Sequence, residues 1–365
     1  MDKELDTELS RVERMVFGLL RASLNGRIME EEVELFRGAS REEWDECYRM
    51  AARHGVKAVA WDGVMMLPED LRGYDDLRIV WGLDVEGYED VYRRYCEVAS
   101  ELTELYRQQG IGTVVLKGVG FSTYYPTPSH REGGDIDIYT YSLDRSAMSD
   151  AEANELADEV MRRMGIVVDV EHCEKHSEFV YKDISIENHK RFLATEIIDD
   201  LERTDEYLHR VLAPEEVTLE GGYKVMVPSE AFNRLFMAYH ASQHFADGLV
   251  IHHLYDWACT LRRCGGDILE GVMNEKIVGF VQALTELSNG LLGTKVPVMA
   301  DRDLTKMVME EMMHPKYPLE KRPRQRLSSF IFMTRRFVYK YRMRKRIHEI
   351  SYWKVIWRAG RRMLR

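Results

Sequence analysis

Asp135 and Asp137 stand two residues apart in REGGDIDIY (131–139), within an apolar run that follows two glycines. A β-strand sends alternate side chains to opposite faces, so residues i and i+2 share a face at roughly 6.5 Å along the strand. The spacing therefore crowds both carboxylates together. Like charges held that way are costly unless a cation lies between them, and divalent metal ions are the usual solution. Two carboxylates sharing such ions can clamp the attacking and leaving oxygens of an in-line phosphoryl displacement, with the ions about 3.5 to 4 Å apart. Magnesium suits this arrangement because it takes carboxylate and phosphate oxygens together.

The elements that must position this pair follow from the pattern around it. Residues 1–110 read as helical: ELSRVERMVFGLLRASL, REEWDECYRMAARHGV and EGYEDVYRRYCEVASELTELYRQQG carry apolar residues at spacings of three and four, and the last ends at Gly110. IGTVVLKG then reads as a strand entering a loop, GFSTYYP as a short helix stopped before Pro126, and DIDIYTY as a second strand. SDAEANELADEVMRRMG is a helix capped by Ser149, followed by two further strand candidates, IVVDVE and SEFVYKDISIENH. The order β, α, β, α, β, β describes a small α/β sheet unit over 111–195. Helices return over 196–320, interrupted by a hairpin at VTLEGGYKVMVP, where Gly221 and Gly222 supply the turn. The fold class expected is α+β, a small mixed sheet flanked by N-terminal and C-terminal helical regions, with a basic amphipathic tail over 321–365.

LKG at 116–118, Arg131, GGDID at 133–137 and IENH at 186–189 together resemble the nucleotidyltransferase superfamily, which has the DNA polymerase β-like fold. More narrowly, they are similar to an uncharacterised bacterial nucleotidyltransferase-like family with the order LKG, R, DID and a strand-borne acid before His. The resemblance implies that Asp135 and Asp137 bind two magnesium ions, and that Glu187 is the third acid on a neighbouring strand. Asp183, on the same face of that strand, and Asp169, on the strand before, are the competing candidates. The family pattern and the following His189 favour Glu187, as a ligand or as the base for an acceptor hydroxyl. His189 is read as orienting the site or pairing with an acid. Lys117 and Gly118 stand where the superfamily usually has Gly-Ser at its triphosphate site. Gly118 and Gly120 would let backbone amides approach phosphate, Lys117 would add a point charge, and Arg131 would contact the triphosphate or brace the loop. The implied donor is an NTP and the implied reaction is transfer of its NMP to an acceptor, small molecule, protein or RNA, with release of pyrophosphate. The alternative is a non-catalytic nucleotide-binding or interaction module on the same fold.

His240 and His244 lie four apart in LFMAYHASQHF, and His252 with Asp256 repeats the spacing in VIHHLYDW. Such pairs can ligate one metal. The plainer reading has these helices packing on the core domain without one, since the ExxH logic of a hydrolytic metal site is missing. The segment Lys321–Arg365 holds 16 Lys or Arg against Glu349 alone, so it carries +15 and the remainder −26 of the total −11. That polarity calls for a partner: the protein's own acidic body, or an external anionic surface of lipid or nucleic acid. The apolar fraction of 45% is that of an ordinary globular protein, which excludes disorder as the default. Five cysteines without CxxC pairing argue against a disulfide framework or zinc ribbon. MVFGLL is too short for a secretory signal, and no segment has the roughly 18 to 20 apolar residues of a membrane span. A cytoplasmic protein is expected, with the basic tail as a means of meeting a membrane surface.

Overall fold

The computed structural model describes residues 9–170, 175–194, 201–264, 267–318 and 321–350. The chain forms two compact units, one of residues 1–192 and 211–233, the other of residues 193–210 and 234–365.

The first unit opens with helices α1 (Arg11–Asn25), the single turn α2 (Glu30–Val33), α3 (Arg41–Arg53) and α4 (Lys57–Met66), followed by α5 (Asp75–Arg107). Ser10 and Ser40 start α1 and α3, each accepting from the backbone of a glutamate three residues on, Glu13 and Glu43, whose side chains bond back. α1 and α4 cross so closely that a Cβ on Gly63 would lie 2.3 Å from the Leu19 carbonyl oxygen. α5 runs for 33 residues and buries Trp81, Val85, Tyr92, Ala99, Leu102 and Tyr106 along one side. That helical stripe ties the N-terminal helices to the sheet behind it.

The sheet comprises β1 (Ile111–Val115), β2 (Ile136–Ser142), β3 (Val168–Asp169), β4 (His176–Tyr181) and β5 (Ile184–His189), in the order β1-β2-β5-β4-β3. β2 and β5 are parallel, and every other neighbouring pair is antiparallel. Helix α6 (Asp150–Arg163), capped by Ser149 as expected, leads from β2 towards β3. The observed sheet is thus mixed, with helices flanking it. Two local readings need correction. SEFVYKDISIENH is two strands rather than one, because Lys182 and Asp183 adopt left-handed backbone (φ 49° and 64°) and close a two-residue hairpin. GFSTYYP forms only a 3₁₀ turn at Phe121–Tyr124, since two prolines follow too soon for an α-helix to propagate.

The two sheet faces differ. Ile136, Ile138, Ile186 and Phe179 join Leu102, Tyr106, Ala157 and Met161 in the core. On that same face sits a buried polar network. The two N–H of the Asn154 amide, on α6, are shared among Thr140 Oγ1, Asn188 Oδ1 and the His189 carbonyl oxygen, each 3.0 Å from its nitrogen, while Asn188 and Ser177 both donate to Asp158 at 3.0 and 2.7 Å. These bonds pin β2, β4 and β5 in register beneath α6. The hairpin of β6 (Glu215–Thr218) and β7 (Lys224–Val227), read above with the C-terminal helices, adds Leu219, Val225 and Val227 to this core. Gly221 and Gly222 make its turn at φ 80° and 83°.

The second unit is helical: α7 (Leu201–Val211) and α8 (Glu230–His244) enter it, and α9 (Ile251–Arg263), α10 (Glu275–Leu292), α11 (Arg302–Met313) and α12 (Arg326–Ile347) complete it. Trp257, Phe280, Leu284 and Leu287 are fully buried within it. α12 carries the described part of the basic tail. Lys340 and Arg344 pair with Asp247, Tyr339 donates to Glu311 at 2.5 Å, and His348 is buried 3.3 Å from the Ser242 carbonyl. Residues 351–365 lie outside the described residues, as does Cys173; Cys47, Cys96, Cys259 and Cys264 are buried. No described helix is long and apolar enough to cross a membrane.

Candidate functional site

The face of β2 and β5 opposite the core gathers the acids. The parallel register sets Asp137 beside Glu187, and Asp135 precedes β2 on the same face. Ligand oxygens of Asp135, Asp137 and Glu187 lie within 4.8 Å of one another. Three cationic or imidazole groups surround them. Lys117 Nζ lies 2.8 Å from Asp137 Oδ1, and His189 Nε2 lies 2.9 Å from the same oxygen. His176 Nδ1 and His189 Nε2 lie 2.8 and 3.3 Å from Glu187 Oε2.

The electrostatics follow. Burial alone would raise the Asp137 carboxyl, but Lys117 and His189 outweigh it and hold the group below the usual carboxylate range. Asp135, which lacks such contacts, is pushed up by burial and by the Asp137 charge. Glu187 is held well below its ordinary value: burial opposes this, and the bonds from His176 and His189 prevail. Lys117 is raised, since the attraction of Asp137 and Asp135 exceeds the cost of its burial.

Beside the acids lies a small open cleft lined by Tyr88, Tyr92 and Tyr95 of α5 and by Gly118, Arg131 and Gly133. Gly118 has φ 55°, and a Cβ there would meet the Asp135 carbonyl at 3.3 Å. A side chain on Gly120 would collide with the Val115 carbonyl oxygen at 2.3 Å. The LKG loop thus depends on glycine for both its turn and its closeness to the DID strand. Arg131 is buried with its guanidinium 5.5 Å from the Phe121 ring centre and 5.9 Å from that of Tyr125. Just before it, His130 sits between Asp62 of α4 at 2.9 Å and Glu89 of α5 at 3.0 Å. That contact anchors the loop leading into GGDID.

Residues 40–276 match the family described as "Uncharacterised nucleotidyltransferase". The chain belongs to this nucleotidyltransferase family. The matched span contains every residue of the site described so far. A solved structure is also similar, the "Crystal structure of an antigenic nucleotidyltransferase-like protein from Paracoccidioides brasiliensis". It is 11% identical, covers 58% of this chain and 96% of that one, and has a TM-score of 0.37, a likeness too loose to carry an argument. No curated protein matches the chain.

Within this nucleotidyltransferase fold, the structure brings Asp135, Asp137, Glu187, His189 and Lys117 together. Asp183 and Asp169 are not among them: Asp183 occupies the exposed turn of the β4–β5 hairpin, and Asp169 lies in β3 at the far edge of the sheet. Lys117 turns its ammonium to Asp137, and Arg131 stacks on aromatic rings while lining the cleft. His176 was not singled out from the sequence. Recognising Lys182-Asp183 as a two-residue hairpin loop would have found it, because that register pairs His176 with His189 and Glu178 with Glu187. The tyrosines of α5 at 88, 92 and 95 also escaped notice, since their helical spacing matches that of core residues.

For a divalent ion the fit is good. The donors are hard carboxylate oxygens on one face, and Asp137 Oδ2 is buried with no hydrogen bond. An unbonded carboxylate oxygen in that position is costly unless a cation meets it.

Proposed function

We propose that this protein transfers a nucleoside monophosphate from an NTP to an acceptor hydroxyl in a magnesium-dependent reaction that releases pyrophosphate. One observation carries this reading: the convergence of Asp135, Asp137 and Glu187, with Asp137 Oδ2 left unbonded.

Asp135 and Asp137 would hold the magnesium ions, with an oxygen of Glu187 completing the set. The bound ions would neutralise charge on the transferring phosphoryl group and its leaving pyrophosphate. Glu187 Oε2 already holds two imidazoles, so its part is to ligate and to fix the cluster rather than to accept a proton there. His189 bridges Asp137 and Glu187 and sets both carboxylates at once. Lys117 keeps the acids compatible with one another and lies close enough to meet a phosphate oxygen. The half-buried rings of Tyr88 and Tyr95 offer a nucleobase a stacking surface, and the Gly118 and Gly133 backbones admit the phosphates beside it.

The test is incubation of the purified protein with each of the four α-labelled NTPs, with Mg²⁺ or with EDTA, against cell extract fractionated into small molecules, proteins and RNA. Label transfer to one fraction, dependent on Mg²⁺ and absent in Asp137→Asn, is the expected result. Transfer undiminished in Asp137→Asn overturns the reading. Metal-independent nucleotide binding without any transfer would instead establish the non-catalytic module.

A further inference from the structure

The second unit contains a cluster of a different kind. His240 and His244 lie one turn apart on α8, and their rings are 4.6 Å apart at their centres. His253 of α9 reaches the same place, 5.5 Å from His240 and 4.4 Å from His244. Ligand nitrogens of all three lie within 4.8 Å of one another. His252, which the sequence spacing favoured, pairs instead with Asp256 at 3.4 Å. The residue that joins the cluster is its neighbour.

The geometry points to a second metal site: we infer that His240, His244 and His253 bind one divalent transition ion of the zinc type, with water completing its shell. Three imidazole nitrogens suit zinc, cobalt, nickel or copper and poorly suit magnesium or calcium. A tetrahedral ion with Zn–N distances of about 2.0 to 2.1 Å holds its nitrogens roughly 3.4 Å apart. The rings need close by no more than about 1.4 Å to reach that spacing, a change within reach of side-chain rotation. His253 is held at the start of its own helix: its Nδ1 accepts from the Val250 amide at 3.2 Å and lies 3.3 Å from the Val250 carbonyl oxygen. An ion on Nε2 requires the other tautomer, in which Nδ1 donates to the carbonyl, so binding would exchange the bond from the Val250 amide for one to its carbonyl. Helical spacing supplies two ligands and the α8–α9 contact supplies the third, so the site clamps these two helices together.

Full-length protein stripped with a chelator and titrated with Co²⁺ gives the direct test. The expected result is one Co²⁺ per chain in millimolar Mg²⁺, with the visible absorption of a tetrahedral ion, displaced by one equivalent of Zn²⁺. His244→Gln and His240→Asn, both half-buried positions, should each weaken binding by about 100-fold, while His176→Gln leaves it unchanged. Zinc-edge X-ray absorption on the wild-type protein needs no variant and should count three imidazoles. Absence of Co²⁺ binding, loss of the spectrum in His176→Gln rather than His244→Gln, or a shell of two imidazoles with carboxylate would each overturn the assignment.

Discussion

Two regions of this protein concentrate metal-ligand side chains, and they do so by opposite means. On the sheet face, three carboxylates are held together by groups that carry or can carry positive charge, Lys117, His176 and His189. On α8 and α9, three imidazoles gather with no carboxylate among the three; burial, with His244 and His252 beside it, keeps His253 well below the ordinary imidazole value. The first cluster spends protein cations to tolerate its own charge. The second is built from nitrogen donors alone. Donor hardness therefore separates the two: oxygen ligands on the sheet suit magnesium and phosphate, and nitrogen ligands on the helices suit a zinc-type ion.

The sharpest way to break this comparison is a crossed pair of variants. Asp137→Asn should lower nucleotidyl transfer by roughly 10³-fold while keeping the Co²⁺ spectrum, and His244→Gln should remove the spectrum while keeping transfer. If either substitution abolishes both signals, the regions are one functional site and the contrast fails. Next in size is Lys117→Met. Removing one partner of a buried ion pair costs about 3 kcal/mol, so the variant should unfold at markedly lower urea in EDTA and recover more than the wild type on adding Mg²⁺. Equal Mg²⁺ stabilisation of both proteins would show that the acids do not share an ion with Lys117's position.

A smaller effect is expected from Asn154→Ala, which removes the amide shared by three acceptors in the network under the site. A loss of about 2 kcal/mol in urea unfolding is expected, and hydrogen exchange should quicken in β2 and β5 but not in α8 or α9. The smallest effect depends on pH. Burial would lower His130, yet Asp62 and Glu89 raise it above its ordinary value of 6.5. Its stabilisation is therefore complete below that value and fades as pH rises through the raised one. His130→Gln should cost about 1 to 2 kcal/mol near pH 6 and progressively less on the alkaline side. A difference that stays flat across this range would mean that His130 does not act as a charged clamp.

Much of the site was legible because strand chemistry is local. Asp135 and Asp137 declared a shared face by their spacing, the glycines of LKG and GGDID declared tight loops, and Ser149 declared the start of α6. Glu187 needed the resemblance to choose it over Asp183 and Asp169, since alternation alone could not say which strand lay next to β2. His176 was invisible because the Lys182-Asp183 turn was read through as continuous strand. Asn154, Asn188 and Asp158 gave no signal at all: polar residues on a helix and a strand look solvent-facing until the register buries them together.

The sequence by itself determined the periodicities, and with them the elements, the paired aspartates and the His240–His244 pair, because side-chain direction repeats every 2.0 or about 3.6 residues whatever the rest of the chain does. Only the tertiary structure decided which acid faces Asp137, which cation neutralises it, and that His253 rather than His252 meets the histidines of α8. Those outcomes depend on strand order and helix packing between residues as many as 52 positions apart, as for His189 and Asp137, and no local rule carries that distance.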